Sequence, residues 1–170
     1  TVTGSFNNTF SYKGWHLSFF MTYAFGNKVR LDPFFSTSYS DMLAMPKEFR
    51  NRWTEAGDEK KTTIPAIADL RTQQQDGYLN RAYNAYNYSN ERIAKGDFIR
   101  MKEISLSYDF PAQLIRHLSL SALSLKLQAT NLFLIYTDKK LNGQDPEFMN
   151  AGGVALPTPR QFTLTLRLGI

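Results

Sequence analysis

The stretch WHLSFFMTYAFG, residues 15–26, decides how this chain is to be read. Its odd positions are Trp15, Leu17, Phe19, Met21, Tyr23 and Phe25, and its even positions are His16, Ser18, Phe20, Thr22, Ala24 and Gly26. Large apolar side chains in strict period two make a strand with one greasy face. Strands of water-soluble domains most often run about five or six residues. Crossing a bilayer on a tilt takes about nine to eleven, and residues 15–27 are long enough to do so. Trp15 at one end and Tyr23 and Phe25 at the other put aromatic rings where membrane interfaces favour them.

Four further segments follow the same grammar, predicting strands over about 4–12, 15–27, 97–110, 123–133 and 160–170. In the first, Phe6, Phe10 and Tyr12 share a parity, and Lys13-Gly14 supplies a hairpin turn of favoured length. In the third, Ile104, Leu106, Tyr108 and Phe110 share one parity, whereas Ile99 and Met101 upstream sit on the other. Either a bulge near Lys102-Glu103 or an upper half standing clear of the membrane reconciles them. Leu123, Leu125, Leu127 and Ala129 oppose Ser124, Lys126, Gln128 and Thr130 in the fourth. In the last, Phe162, Leu164, Leu166, Leu168 and Ile170 alternate with Gln161, Thr163, Thr165, Arg167 and Gly169.

The connections are very short, very long, short and long. Residues 30–96 and 134–159 are the long ones. Pro46, Phe49, Trp53 and Gly57 suggest one short helix in the first of them. Gln73-Gln74-Gln75, Asp76-Gly77 and the Tyr/Asn-rich run from Tyr78 to Asn90 read as loop chemistry. Asn142-Gly143, Asp145-Pro146 and Gly152-Gly153 are turn signals in the second. Segregated long loops and short turns are the pattern of a transmembrane antiparallel β-barrel, loops outside and turns in the periplasm. The expected fold is therefore all-β, with the chain supplying about five strands and the outer membrane as its location.

Composition fits. Mean hydropathy is -0.38, as alternating strands allow, and no run approaches the roughly 18–20 apolar residues of a spanning helix. Aromatic residues reach 14%, enough for interfacial girdles or a sugar-binding surface, and cysteine is absent, which excludes disulfides and thiolate metal sites within the chain. The sequence opens on Thr1-Val2-Thr3 with no charged or apolar leader, so targeting information is expected upstream. Net charge is +5, but residues 30–96 hold ten basic against nine acidic side chains and residues 134–159 two against three. The excess is scattered over strands (Lys13, Lys126, Arg160, Arg167), not clustered as nucleic-acid binders require.

Chemistry-bearing constellations are sparse. His16 and His117 have no carboxylate or cysteine at ligand spacing, and Asp145-Pro146-Glu147 lacks the regular oxygen ligands of a calcium loop. The latter reads as a structural turn whose carboxylates tie down loop backbone. No catalytic residue, metal or cofactor is expected. The candidates for ligand or partner contact are the loop aromatics Trp53, Tyr78, Tyr83, Tyr86 and Tyr88, because exposed aromatics are enriched at interfaces; packing among the loops is the alternative. Lys126 and Arg167, on polar strand faces, are candidates to line a lumen.

With the strands placed, several segments resemble the C-terminal region of the SusC/RagA family of TonB-dependent outer-membrane transporters. These are Trp53 to Asp58 (WTEAGD) with Ile64-Pro65, then Gly96 to Pro111 (GDFIRMKEISLSYDFP), then Asn131-Leu132-Phe133, Gly143 with Asp145-Pro146-Glu147, and Pro157-Thr158-Pro159-Arg160. The resemblance runs the whole chain, with one departure: such barrels commonly finish on an aromatic residue, and Ile170 stands here. It implies a 22-stranded plugged barrel of which these would be the last strands. It also implies a SusD-like surface lipoprotein as cap, TonB acting through an N-terminal plug, contact with membrane lipid and lipopolysaccharide, and import of oligosaccharides or peptides. The competing expectation is a secreted soluble β-sandwich that binds carbohydrate, which would bury its apolar stripes against a facing sheet.

Overall fold

The computed structural model describes residues 1–35, 44–149 and 156–170. Strands β1 (Val2–Tyr12), β2 (Trp15–Phe25), β3 (Lys28–Arg30), β4 (Ile93–Lys95), β5 (Phe98–Asp109), β6 (Ala122–Thr137) and β7 (Gln161–Gly169) are joined by short helices α1 (Leu70–Gln75), α2 (Leu79–Asn87) and α3 (Ala112–Ile115). The chain forms two compact units. One comprises residues 1–27, 96–138 and 145–170; the other comprises residues 28–95 and 139–144.

The first unit is an antiparallel sheet in the order β1-β2-β5-β6-β7. Its first turn is dictated by two residues. Lys13 and Gly14 have φ of 45° and 84° between the paired Tyr12 and Trp15, the two left-handed residues of a type I′ hairpin whose twist matches the strands. A Cβ on Gly14 would also lie 2.8 Å from the Asp109 carbonyl oxygen.

The register carries the apolar parity from strand to strand. Phe10 pairs with Leu17 and Phe6 with Met21; Leu17 pairs with Leu106 and Phe19 with Ile104. Leu106 in turn faces Leu127, and Leu127 faces Leu164. Three irregularities preserve this phase. Phe20 pairs with Glu103 and Met21 with Met101, so Lys102 is one extra residue in β5 against β2. Ile99 and Met101 thereby join the apolar face despite their odd numbers. In β6, Asn131 takes φ of 55°, and three steps from Thr130 to Phe133 oppose two from Glu103 to Met101. Further along, two steps from Leu134 to Tyr136 oppose one from Arg100 to Ile99, which leaves Ile135 extra, so Phe133 and Tyr136 both face the apolar side and the strand runs on to Thr137, past its expected end near residue 133.

The result is one continuous apolar face with aromatics at both ends. Trp15 and Tyr108 lie 4.6 Å apart, centroid to centroid, near the turns; Tyr23 and Phe25 lie 5.7 Å apart at the other end, and the Tyr23 ring covers Gly4, its cross-strand partner. This face remains open to its surroundings: Phe10 is 57% exposed and Phe162 72%. A sandwich would have covered it with a second sheet, so the soluble-sandwich expectation fails for the described residues. Among the described residues β1 and β7 each keep an unpaired edge, so the sheet is open.

The second unit is more ordered than the loop chemistry of residues 73–90 suggests. β3 and β4 form an antiparallel ladder, Val29 opposite Ala94, and Phe34, Phe35 and Tyr83 make a core backed by Phe49, Ile64, Ile67, Leu79 and Tyr86. The expected helix after Pro46 is a 3₁₀ turn, Lys47–Asn51, which ends before Trp53. The Tyr/Asn-rich run instead contains α2. Leu79, Tyr83, Tyr86 and Asn87 recur at helical spacing and supply its inward face. The Gly152-Gly153 turn signal lies outside the described residues.

Candidate functional site

The sheet's second face is polar. His16, Ser107, Lys126 and Thr165 form one cross-strand row, and Ser18, Ser105, Gln128 and Thr163 the next. Lys126 is half-buried, whereas Arg167 is exposed opposite Ser124. Chain spacing had left His16 without partners, but the register supplies two. Its Nδ1 is 2.7 Å from the Ser11 Oγ, and its Nε2 is 3.1 Å from Asp109, 93 residues away in sequence. Among the described residues no three metal-ligating side chains gather.

Asp145-Pro146-Glu147 is tied to this polar face. Asp145 Oδ1 accepts the Glu147 N–H at 3.1 Å, closing the turn on itself. Its Oδ2 accepts from Arg100 Nη2, while Arg100 Nε and Lys102 Nζ lie 3.2 and 3.6 Å from Glu147 Oε2.

In the second unit the predicted contact residues separate into three groups. Tyr83 is buried. It stacks on Phe35 at 4.2 Å, and its hydroxyl donates to the Ala66 carbonyl and accepts the Ala68 N–H at 2.9 and 2.8 Å. That residue is therefore core, a correction to its listing among surface contacts; the physical reason is its place on the inward face of α2. Trp53 and Tyr86 are half-buried. The Trp53 indole donates to the Thr62 carbonyl at 2.7 Å, and Tyr86 packs between Phe34 and Phe35, where burial pushes its phenol above the ordinary pKa. Tyr78 and Tyr88 are 76% and 67% exposed.

The exposed pair is organised. Tyr78, Arg81, Ala85 and Tyr88 follow i, i+3, i+7, i+10 spacing and so share one helix face, spanning about 15 Å at 1.5 Å per residue. Arg81 lies over the Tyr78 ring at 5.8 Å and Arg30 over the Tyr88 ring at 5.5 Å. Such guanidinium–aromatic pairs present flat, partly cationic surfaces to a ligand.

Sequence reasoning missed a cleft of about 160 Å³ in the same unit, lined by Asp32, Lys47, Glu48, Lys140, Asn142 and Gln144 over Arg92. Arg92 is buried. It pairs with Glu48 at 3.2 Å, donates to the Asp32 carbonyl and sits 3.7 Å above the Phe34 ring. Nothing in local spacing could have found it, because its lining comes from segments more than a hundred residues apart.

The Trp-x-x-x-Gly-Asp motif builds this unit and leaves the cleft chemistry to others. Gly57 has φ of 101°, and the Asp58 carboxylate accepts the Thr54 and Glu55 N–H groups at 3.0 and 3.1 Å and Lys61 Nζ at 3.0 Å. The Thr54 N–H, then Lys61, hold Asp58 well below the usual carboxylate range. Asp69 is likewise lowered, by the Thr72 N–H that it caps at the start of α1.

No protein-family model matches the chain. A TonB-dependent receptor of Formosa agariphila is 28% identical over 158 residues, covering 91% of this chain and 14% of the relative. Among solved structures, the RagAB peptide importer in its open-open state matches with a TM-score of 0.65 at 24% identity, over 99% of this chain and 17% of that one. The closed-closed state gives 0.64 at 24% identity, over 98% and 17%. The chain thus spans only 14–17% of the length of these relatives. The resemblance to TonB-dependent receptors read from the motifs holds, and the fold is that of the matching part of the RagAB importer structures. The relatives are a receptor and importers, not enzymes.

Proposed function

We propose, from its kinship with TonB-dependent receptors of the SusC/RagA type, that this chain forms wall and outer surface of a transporter importing oligomeric nutrients, peptides or glycans. The observation that carries this reading is the pair of opposed faces held in register across five strands. One face suits lipid and the other suits a water-filled lumen, as alternating barrel strands require. The Lys13-Gly14 end is then periplasmic, and residues 30–96 and 134–159 are extracellular.

The chain contributes shape and surface; the reaction chemistry is none of its own. Lys126 and Arg167 line the lumen and favour anionic groups on passing cargo. The Tyr78–Arg81–Tyr88 face, with Arg30 behind Tyr88, meets cargo or a SusD-like lipoprotein capping the barrel. Energy arrives from TonB through an N-terminal plug. Flat aromatic surfaces gain binding area at low entropy cost, which supports this assignment over a purely structural one for two rings left so exposed.

The test is uptake by cells whose only copy of the transporter carries Tyr78→Ala and Tyr88→Ala, using fluorescent oligopeptides and oligosaccharides in parallel. Loss of TonB-dependent uptake of one class, with the barrel still present in the outer membrane, is the expected result and identifies the cargo. Unchanged uptake of both classes and unchanged co-purification of the lipoprotein would remove the contact role. TonB-independent behaviour of the intact protein would remove the transporter reading.

A further inference from the structure

We propose that Arg100 is a charge latch, holding the Asp145–Phe148 turn inward against the polar face of the wall so that its release changes the aperture of the pore. The existence of a pore rests on the reading above; the latch itself rests on geometry within one compact unit.

Arg100 lies near the loop end of β5, between Thr22 and Leu134 on the neighbouring strands. It is only 5% exposed, and Asp145 only 9%. Buried charges of this kind persist only where their partners satisfy them. Here one guanidinium is shared by two carboxylates, Asp145 on Nη2 and Glu147 on Nε, and Lys102 supplies a second cation to Glu147. Two cations and two anions balance, so the closed arrangement carries no net charge to expel it.

The turn is prepared for this contact. The Asp145 carboxylate serves both sides at once, one oxygen on Arg100 and the other on the Glu147 N–H. The Phe148 N–H donates to the Asp145 carbonyl at 3.1 Å, and Pro146, with no N–H to satisfy, is buried beside them. The turn therefore moves as a piece. Swinging outward rehydrates the buried Arg100 and Asp145 together, whereas removing one in place strands the other. That difference makes the cluster a two-state element rather than a static brace.

Hydrogen exchange on the full-length protein in detergent tests the proposal, comparing wild type with Arg100→Gln and Arg100→Lys. The latch predicts Glu147 and Phe148 amides exchanging at least about tenfold faster in Arg100→Gln, with the conservative lysine variant between the two. The amides of β2 and β6 that pair with β5 stay at wild-type rates. Unchanged exchange in the turn would overturn the latch, and so would equal acceleration throughout β5 and β6, which would make Arg100 a brace of the wall. Because exchange needs no cargo, a failed uptake assay would sink the transporter reading without touching this result.

Discussion

A single carboxylate organises the turn from Trp53 to Lys61. Asp58 accepts two backbone N–H groups and a lysine, and each favours its ionised form. The sign of the pH effect follows from the direction of the shift. A carboxyl held below its ordinary value in the folded state stabilises that state above the unfolded value, about 3.9 for aspartate. The contribution is lost as pH falls through the lowered value; Asp69 acts in the same direction. The second unit should therefore hold steady from neutral pH down to about 4 and loosen below it. Protection of the Thr54 and Glu55 amides against exchange in the full-length protein, followed from neutral pH into acid, would report this. In Asp58→Asn the unit should melt at lower temperature at pH 7, and the difference from wild type should shrink in acid. A pH-independent difference would mean that the carboxylate's charge is irrelevant.

At the scale of elements, the hairpin and the bulges do the work of alignment. Gly14→Ala should cost about 1–3 kcal/mol, because φ of 84° strains any other residue and the new Cβ meets the Asp109 carbonyl; refolding into detergent at graded urea measures it. Leu125 and Gln128 lie on opposite faces of β6. Leu125→Arg should destabilise the membrane-embedded barrel by about 2–4 kcal/mol, while Gln128→Arg should be nearly neutral. Equal costs would refute the assignment of faces.

The same elements explain what was legible in the sequence. Residues 15–26 and 160–170 keep strict parity, so their faces could be read directly. β5 changes parity at Lys102, which the mismatch between Met101 and Ile104 signalled. β6 keeps its parity past the left-handed Asn131 and changes it at Ile135, inside the apolar run Leu132–Tyr136 that hides the step. The break concealed a strand continuing to Thr137. α2 was hidden for another reason. Its Tyr and Asn residues are weak helix formers, and only the spacing of Leu79, Tyr83, Tyr86 and Asn87 betrayed it. The Arg92 cleft and the His16–Asp109 contact depend on partners distant in sequence, and only tertiary structure brings them together.

On the scale of the whole molecule, the described residues leave one apolar sheet face uncovered. Apolar patches of more than a few hundred Å² mark surfaces that meet another phase or partner, and here the face continues from β1 to β7. In the proposed transporter, lipid satisfies one side, water in the lumen the other, and neighbouring strands the two edges. After any cysteine outside these 170 residues, which themselves have none, is replaced, the decisive measurement places single cysteines along residues 161–169 of the full-length protein. Spin labels on them in bilayers are then probed with oxygen, which concentrates in lipid, and with a water-soluble nickel chelate. Labels at 162, 164, 166 and 168 should respond to oxygen, and those at 161, 163, 165 and 167 to nickel, alternating in strict period two. Labels that all respond to nickel, or that show no alternation, would contradict a lipid-facing barrel wall.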